Sequence, residues 1–310
     1  MIEQTFLKRI KRAFCYAIAA AIATSIPAPL AAQDSGWKLD PDARFELGLI
    51  SAQSTTRDDQ IIVDGDAVTL RAQIGVDLED DDTRFRLEAD RIEVIRLGDG
   101  RSDTNRDRIT ALFEQEIHED WEIQLRGRYF DDLVTAESSN TDEIQASARV
   151  SYEPTRATRV RLRATWRERE YDNGDDPQTR GDGPRVDAQY RHRFGRYNYL
   201  TFDLRAESID SADPERGFRR GSAKVSYTQP ITPDLRVRPA FEILNTRFDQ
   251  RFADDGTRRN DTLFAPEVEV HWWPDDWRVE LEAKYIFSNS NVLTRDREGY
   301  RVTFTVGHVF

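Results

Sequence analysis

Tyr300-Arg-Val-Thr-Phe-Thr-Val-Gly-His-Val-Phe310 ends the chain, and it alternates mostly apolar side chains with polar or small ones. One face of this segment carries every second residue, namely Tyr300, Val302, Phe304, Val306, His308 and Phe310. A period of two is typical of a β-strand with one face toward an apolar phase. The segment therefore predicts a final strand with an apolar outer face and a polar inner one.

This terminal strand resembles the closing strand of bacterial outer-membrane β-barrels, which ends in Phe after apolar residues at alternate positions. The resemblance implies that the outer-membrane barrel assembly machinery reads this strand as its signal. The residues implied are Tyr300, Val302, Phe304, Val306 and Phe310. His308 departs from the pattern, which usually has Tyr or another apolar residue there.

The start of the chain is typical of a secretory signal peptide. Basic residues precede a short apolar run, and small residues follow it near Ala32. The apolar run is shorter than the roughly 20 residues that a membrane-spanning helix needs. We therefore expect a cleaved signal peptide at 1–32, a periplasmic N-terminal segment at 33–42 and a barrel at 43–310. The only cysteine, Cys15, lies in the signal peptide, so the mature chain is expected to have no disulfide.

Alternating segments and connections define the rest of the 310-residue chain. We count about fourteen strands, within a range of 12 to 16, and expect a bulge near Arg91. Connections alternate between short ones, such as 154–157, and long polar ones, such as 168–184 and 245–262. This layout is typical of outer-membrane barrels, whose short turns are periplasmic. It predicts an all-β, transmembrane, antiparallel up-and-down β-barrel with both termini in the periplasm, rather than a soluble β-sandwich.

As a whole, the chain is similar to small monomeric fourteen-stranded porins of the outer membrane. That likeness implies a channel for oligosaccharides and other small hydrophilic solutes, surrounded by the lipid bilayer and lipopolysaccharide. A weaker likeness, in 288–292 and in the Tyr300-Arg-Val that follows, is to the C-terminal barrel of surface-lipoprotein assembly modifiers. Those proteins carry helical repeats that this chain lacks. The alternative function is therefore a non-conducting barrel that acts in assembly, export or surface interaction.

Charged residues dominate the positions that the alternation places inside the barrel. A basic wall is predicted from Arg126, Arg128, Arg149, Arg159, Arg161, Arg163, Arg167, Arg185, Arg191 and Arg193. An acidic wall is predicted on the opposite side from Glu267, Glu269, Glu280 and Glu282. Such segregation resembles the constriction of general porins. Basic inward residues outnumber acidic ones in this assignment, which predicts weak anion selectivity. The other interpretation is a filled barrel, in which arginines and carboxylates pair across neighbouring strands.

Catalytic and metal-binding patterns are weak. The four histidines all fall near predicted periplasmic ends, and no Ser-His-acid arrangement is indicated, so we expect no enzymatic activity. The acidic segment 172–176 lacks the spacing and closing Glu of an EF-hand, so we expect no metal or other cofactor. A net charge of -12 without a basic patch argues against a nucleic acid partner.

Overall fold

The computed structural model describes residues 36–56, 61–97, 102–135, 140–172 and 180–310. The predicted signal peptide, 1–32, lies outside the described residues. So does most of the acidic segment 172–176.

In these described ranges, fifteen strands form one antiparallel sheet, and fourteen of them close into a barrel. The strands are β1 Lys38–Thr56, β2 Ile61–Asp64, β3 Ala67–Glu79, β4 Thr83–Arg96, β5 Thr104–His118, β6 Trp121–Asp131, β7 Thr141–Thr155, β8 Thr158–Tyr171, β9 Arg180–Arg193, β10 Tyr199–Ser211, β11 Phe218–Pro230, β12 Leu235–Phe252, β13 Arg258–Trp272, β14 Trp277–Ser290 and β15 Arg297–Val309. Two short 3-10 helices, Pro214–Arg216 and Leu293–Arg295, lie in connections. The short strand β2 pairs only with the end of β1 and stands outside the ring. The predicted fold class and strand number are confirmed.

The barrel closes between the first and last strands. β1 pairs with β3 on one side and with β15 on the other, from Arg44 opposite Val309 to Thr56 opposite Arg297. The amide of Phe310 also donates to the carbonyl of Ala43 at 2.8 Å. Because every strand edge of the ring is paired, the wall leaves no open edge for another chain.

Because the number of strands in the ring is even, the first strand begins and the last strand finishes at the same end of the barrel. The connections at that end are short, from the two residues 119–120 to the five residues 194–198. Among the described residues, no helix is long and apolar enough to cross a membrane.

Strand ends differ from the predicted ones. β1 begins at Lys38, inside the predicted periplasmic segment 33–42, because Pro41 and its neighbours pair with β3 in spite of their polar sequence. At the opposite end, β12 and β13 leave only 253–257 as a hairpin where 245–262 was predicted. The main chains of these strands stay paired there although the alternation of apolar and polar residues has stopped. Strand ends that extend beyond the apolar band on the outer surface of the barrel need no apolar outer face.

Alternation sorts the side chains of each strand between an outer and an inner face. On β8, Leu162 and Trp166 are 55% and 49% exposed on the outside, whereas Arg167 is 2% exposed on the inside. Large apolar residues exposed around the whole ring would be unfavourable in water. The same surface suits a barrel in a bilayer, because the outer face of such a barrel meets lipid and only its inner face is polar.

The predicted bulge near Arg91 is wrong. β4 keeps one register with β3 and with β5 across this position. Arg91 and Glu93 consequently face outward, where Arg91 pairs with Asp107 at 3.2 Å and with Glu93 at 3.0 Å. A bulge would have turned these two side chains into the lumen. Without it they stay on the outer face, where the ion pairs hold them.

Candidate functional site

The candidate site is the lumen, which is the inner face of the ring. The ten residues of the basic wall lie on β6, β7, β8 and β9. They share the inward parity of their strands, opposite to exposed apolar residues such as Leu125, Val150 and Leu162. The strands therefore place the set together on one side of the lumen, and its role as a pore wall stays a prediction.

Four arginines of the basic wall have carboxylate partners. Arg149 pairs with Glu114 at 3.1 Å and also with Glu122. Arg167 is nearly sealed from solvent and pairs with Glu207 at 2.9 Å. Two further pairs are Arg159 with Glu153 at 3.6 Å and Arg185 with Asp187 at 3.2 Å. These four charges are compensated within the wall.

Four other arginines, which we call the arginine cluster, have no carboxylate partner in the described part of the chain. They are Arg126, Arg128, Arg161 and Arg163. The strongest charges acting on Arg126 belong to other arginines of the basic wall. The Nε atoms of all four have no hydrogen-bond partner in the described protein, and Arg163 donates a long hydrogen bond from its Nη2 to Gln124 at 3.5 Å. The cluster is half-buried, so it faces the lumen as an excess of positive charge.

The two remaining residues of the basic wall lie at the end of β9 with the short connections. Arg191 stacks over the ring of Tyr199 at 4.7 Å. Arg193 is exposed and has no ion pair in the described part of the chain. Arg191 lies opposite Arg159 on β8, and its charge acts on Arg161, so the basic wall continues from the cluster toward this end of β9.

The acidic wall lies on β13 and β14 and is compensated throughout. Glu267 pairs with Lys224 at 2.9 Å and Lys284 at 3.3 Å. Glu269 pairs with Arg238, Lys224 and His271. Glu280 lies 3.6 Å from His271, and Glu282 pairs with Arg301 at 2.6 Å. The lumen therefore has a basic region without compensating charges and an acidic region whose charges are neutralised. The sequence had predicted two walls of opposite charge facing each other.

A third region, on β1, β3, β4 and β5, was missed by the sequence reasoning. Arg86 contacts Asp42 at 2.8 Å and Glu88 at 3.1 Å. A Cβ at Gly75 would lie 2.6 Å from atoms of both Arg86 and Asp42, so this glycine makes room for a pair that bridges two strands. Asp90 similarly contacts Arg71 at 3.0 Å and Arg108 at 2.9 Å. The inward parity of these charges was visible in the sequence.

Apolar packing inside the lumen was also missed. Ile209, Phe218 and Phe248 form a buried cluster near the end with the longer connections. Arg220 lies over the Phe218 ring at 4.7 Å, and Arg259 lies over the Phe248 ring at 4.5 Å. This packing fills part of the lumen beside β10, β11 and β12.

Metal ligands are suggested only weakly among the described residues. The carboxylates of Asp131, Asp132 and Asp142 come within 4.8 Å of one another. Each residue also has other interactions, including a hydrogen bond from Tyr129 to Asp142 at 3.4 Å. An acidic group held by the protein in this way does not define a metal site.

The predicted assembly-signal residues lie on the outer face of β15. Tyr300 and Phe304 are exposed there, and Val302 and Val306 share their parity. Phe310 is 70% exposed and meets Phe45 edge-on at 6.1 Å. His308 takes the same face, against Trp277 at 4.9 Å, so an imidazole fits the outer position where the resembled pattern has an apolar residue.

Solved structures of outer-membrane proteins are similar to this chain. OmpT, an outer membrane protein of Vibrio cholerae, has a TM-score of 0.53 at 10% identity, over 91% of this chain and 100% of that one. The outer membrane channel DcaP of Acinetobacter baumannii has a TM-score of 0.50 at 10% identity, over 89% and 98% of the two chains. No protein-family model matches the sequence, and no curated protein does so.

Identities this low carry the fold and not the function. The comparison and the ring of strands nevertheless agree on closure, strand direction and strand number. The chain therefore has the fold of the fourteen-stranded β-barrels of the bacterial outer membrane.

Proposed function

We propose that this protein is an outer-membrane channel through which small hydrophilic solutes, anions among them, diffuse. The observation that carries the proposal is the arginine cluster. An uncompensated charge in a dry protein interior costs several kcal/mol. Four neighbouring guanidinium groups without carboxylates are tolerated far more readily where water reaches them. A hydrated lumen at this level is therefore the favoured interpretation.

A filled barrel would be expected to pair its inward charges, as β1 to β5 do for Arg71, Arg86 and Arg108. The arginine cluster departs from that rule, which favours a path for water beside β6 and β8. Similarity to an outer membrane channel adds support at the level of the fold. We propose no catalytic role. In the lumen Ser151 donates to Glu122 at 3.2 Å and Ser290 donates to Asp261 at 2.7 Å, but among the described residues no histidine joins either pair as it would in a Ser-His-acid triad.

We further propose the setting of this channel. It would lie in the outer membrane as a monomer, in contact with the lipid bilayer and lipopolysaccharide, with both chain ends in the periplasm. The outer face of β15 would be read by the barrel assembly machinery. Each of these statements follows from the resemblance and from the location of the chain ends at the end with short connections.

Planar-bilayer recording of the refolded mature chain tests the proposal. We expect discrete conductance steps in KCl and, in a salt gradient, a reversal potential of the sign that anion permeation gives. Folding is checked independently by heat-modifiable migration on a gel. A folded barrel that never conducts would refute the channel and favour the non-conducting alternative, in assembly, export or surface interaction.

A further inference from the structure

A cavity opens in the lumen wall beside the arginine cluster. Its volume is about 350 Å³, and Arg161 and Arg163 line one side of it. Gln189, Asp203 and Ser222 line the other. A volume of this size is at the lower end of the range for small-molecule sites, roughly 300 to 1,000 Å³. The cavity can therefore hold a ligand of about the size of one substituted sugar ring.

The side chains that line this cavity carry five positive and three negative charges, so the charges do not cancel. Asp187 is compensated by Arg205 at 2.6 Å, and Glu242 by Lys284 at 2.8 Å. Asp203 accepts a hydrogen bond from Gln189 at 2.8 Å and has no ion pair among the described residues, so it keeps its negative charge. Neither Arg161 nor Arg163 forms an ion pair among the described residues, although the charges of Glu122 and Asp187 act on them from a greater distance.

The other two members of the cluster extend this excess of positive charge. Arg126 and Arg128 lie on β6, and the charge of Arg163 acts on both of them. A ligand at the cavity would therefore meet at least two uncompensated guanidinium groups, with two more beside them.

Guanidinium groups and neutral polar groups recognise different parts of a ligand. The planar fork of arginine binds carboxylate and phosphate oxygens in pairs, and several arginines together favour a dianion. Gln189 and Ser222 can donate to or accept from hydroxyl groups, whereas the Asp203 carboxylate can only accept from them. The lining thus combines an oxyanion end with a hydroxyl end.

We propose that this cavity is a binding site for a small hydroxylated phosphate ester, with the phosphate on Arg161 and Arg163 and the hydroxyl groups toward Gln189, Asp203 and Ser222. The inference rests on the proposed function, because the site lies in the lumen through which solutes would pass. It adds that transport of such solutes is saturable, since the site holds one solute at a time.

Isothermal titration calorimetry on the detergent-solubilised mature barrel tests the site without requiring conduction. The probes are glucose 6-phosphate, glucose and inorganic phosphate. We expect glucose 6-phosphate to bind, glucose not to bind, and inorganic phosphate to bind more weakly than the ester because it makes no hydroxyl contacts.

Two double variants separate a local site from general lumen charge. R161Q/R163Q should weaken binding of glucose 6-phosphate by at least about tenfold, because two charge-assisted contacts are lost. R84Q/R301Q removes the same charge from the lumen on β4 and β15, which do not line the cavity, and should weaken binding by less than about threefold because only screened long-range attraction is lost.

Each other outcome counts against the proposal. Equal weakening in the two variants would mean that general charge attracts the ester and that no local site exists. Equal affinity for inorganic phosphate and the ester would show that the proposed hydroxyl contacts do not form. Absence of binding to the wild type would show that the site does not exist. If the barrel conducts ions but does not bind the ester, only the proposed site is refuted. If it binds the ester but does not conduct, only the proposed channel function is refuted.

Discussion

Reversing the charge of Arg161 and Arg163 should invert the ion selectivity of the channel. Neither side chain has a carboxylate partner in the described part of the chain, so Arg161→Glu/Arg163→Glu changes the lumen by four unit charges with no pair to break. The outward neighbours Val160 and Leu162 are unchanged, so the lipid face should stay intact.

The size of the effect follows from Coulomb's law in a hydrated lumen. At about 8 Å in water a unit charge changes the energy of a monovalent ion by roughly 0.5 kcal/mol. Screening at about 0.1 M salt roughly halves that value. Four unit charges then give about 1 kcal/mol, with opposite signs for anions and cations. The permeability ratio of the two should therefore shift by about 2 kcal/mol, or roughly 25-fold.

Reversal potentials in a KCl gradient measure this ratio directly. The wild type should favour chloride and the double variant potassium. Arg219→Glu/Arg247→Glu is the matched control, because it makes the same charge change at exposed positions on adjacent strands with outward parity. An unchanged sign in the lumen variant would refute the assignment of these arginines to the conducting path, as would an equal shift in the control.

Three further predictions concern stability, assembly and topology. Glu207→Gln leaves the sealed Arg167 without its carboxylate and should lower the free energy of unfolding in urea by about 3 kcal/mol. Glu282→Gln breaks a half-exposed pair and should cost under about 1 kcal/mol, so equal losses would contradict the burial argument. Deleting Phe310 should reduce the yield of heat-modifiable barrel at unchanged unit conductance, and a normal yield would show that it is no assembly signal. A protease site inserted at 253–257 should be cut on intact cells, whereas one at 194–198 should not; the reverse result would invert the topology.

The sequence was sufficient wherever one physical rule decides the structure. Alternation of apolar and polar residues, imposed by lipid outside and water inside, correctly assigned the inner and outer faces of β8 and β15. The alternation failed to predict the strand ends that extend beyond the apolar band of the outer surface. β1 pairs through Pro41, and β12 continues to Phe252, because main-chain pairing alone sustains a strand outside the apolar belt.

Pairing of the inward charges could not be predicted from the sequence, because it depends on residues two strands away. Arg167 reaches Glu207 from β8 to β10 across β9. The residue opposite Arg167 on β9 is Gly183, which has no side chain to obstruct that contact. Arg86 reaches Asp42 past Gly75 in the same way. An inward glycine between an arginine and a carboxylate two strands apart is thus the signal that the sequence reasoning lacked.

Such bridges also explain why the uncompensated arginines point to function. This barrel neutralises inward charge on both sides of the cluster, with Asp90 and its partners toward β1 and with Glu267 and Glu269 toward β14. Like charges left together oppose folding, and a sequence selected for stability alone would pair or replace them. Departures from local consistency are expected where activity requires them. The arginine cluster is such a departure, and it lies beside an open cavity of the lumen. Its charge is therefore better explained by the proposed passage of solutes through the barrel than by a contribution to stability.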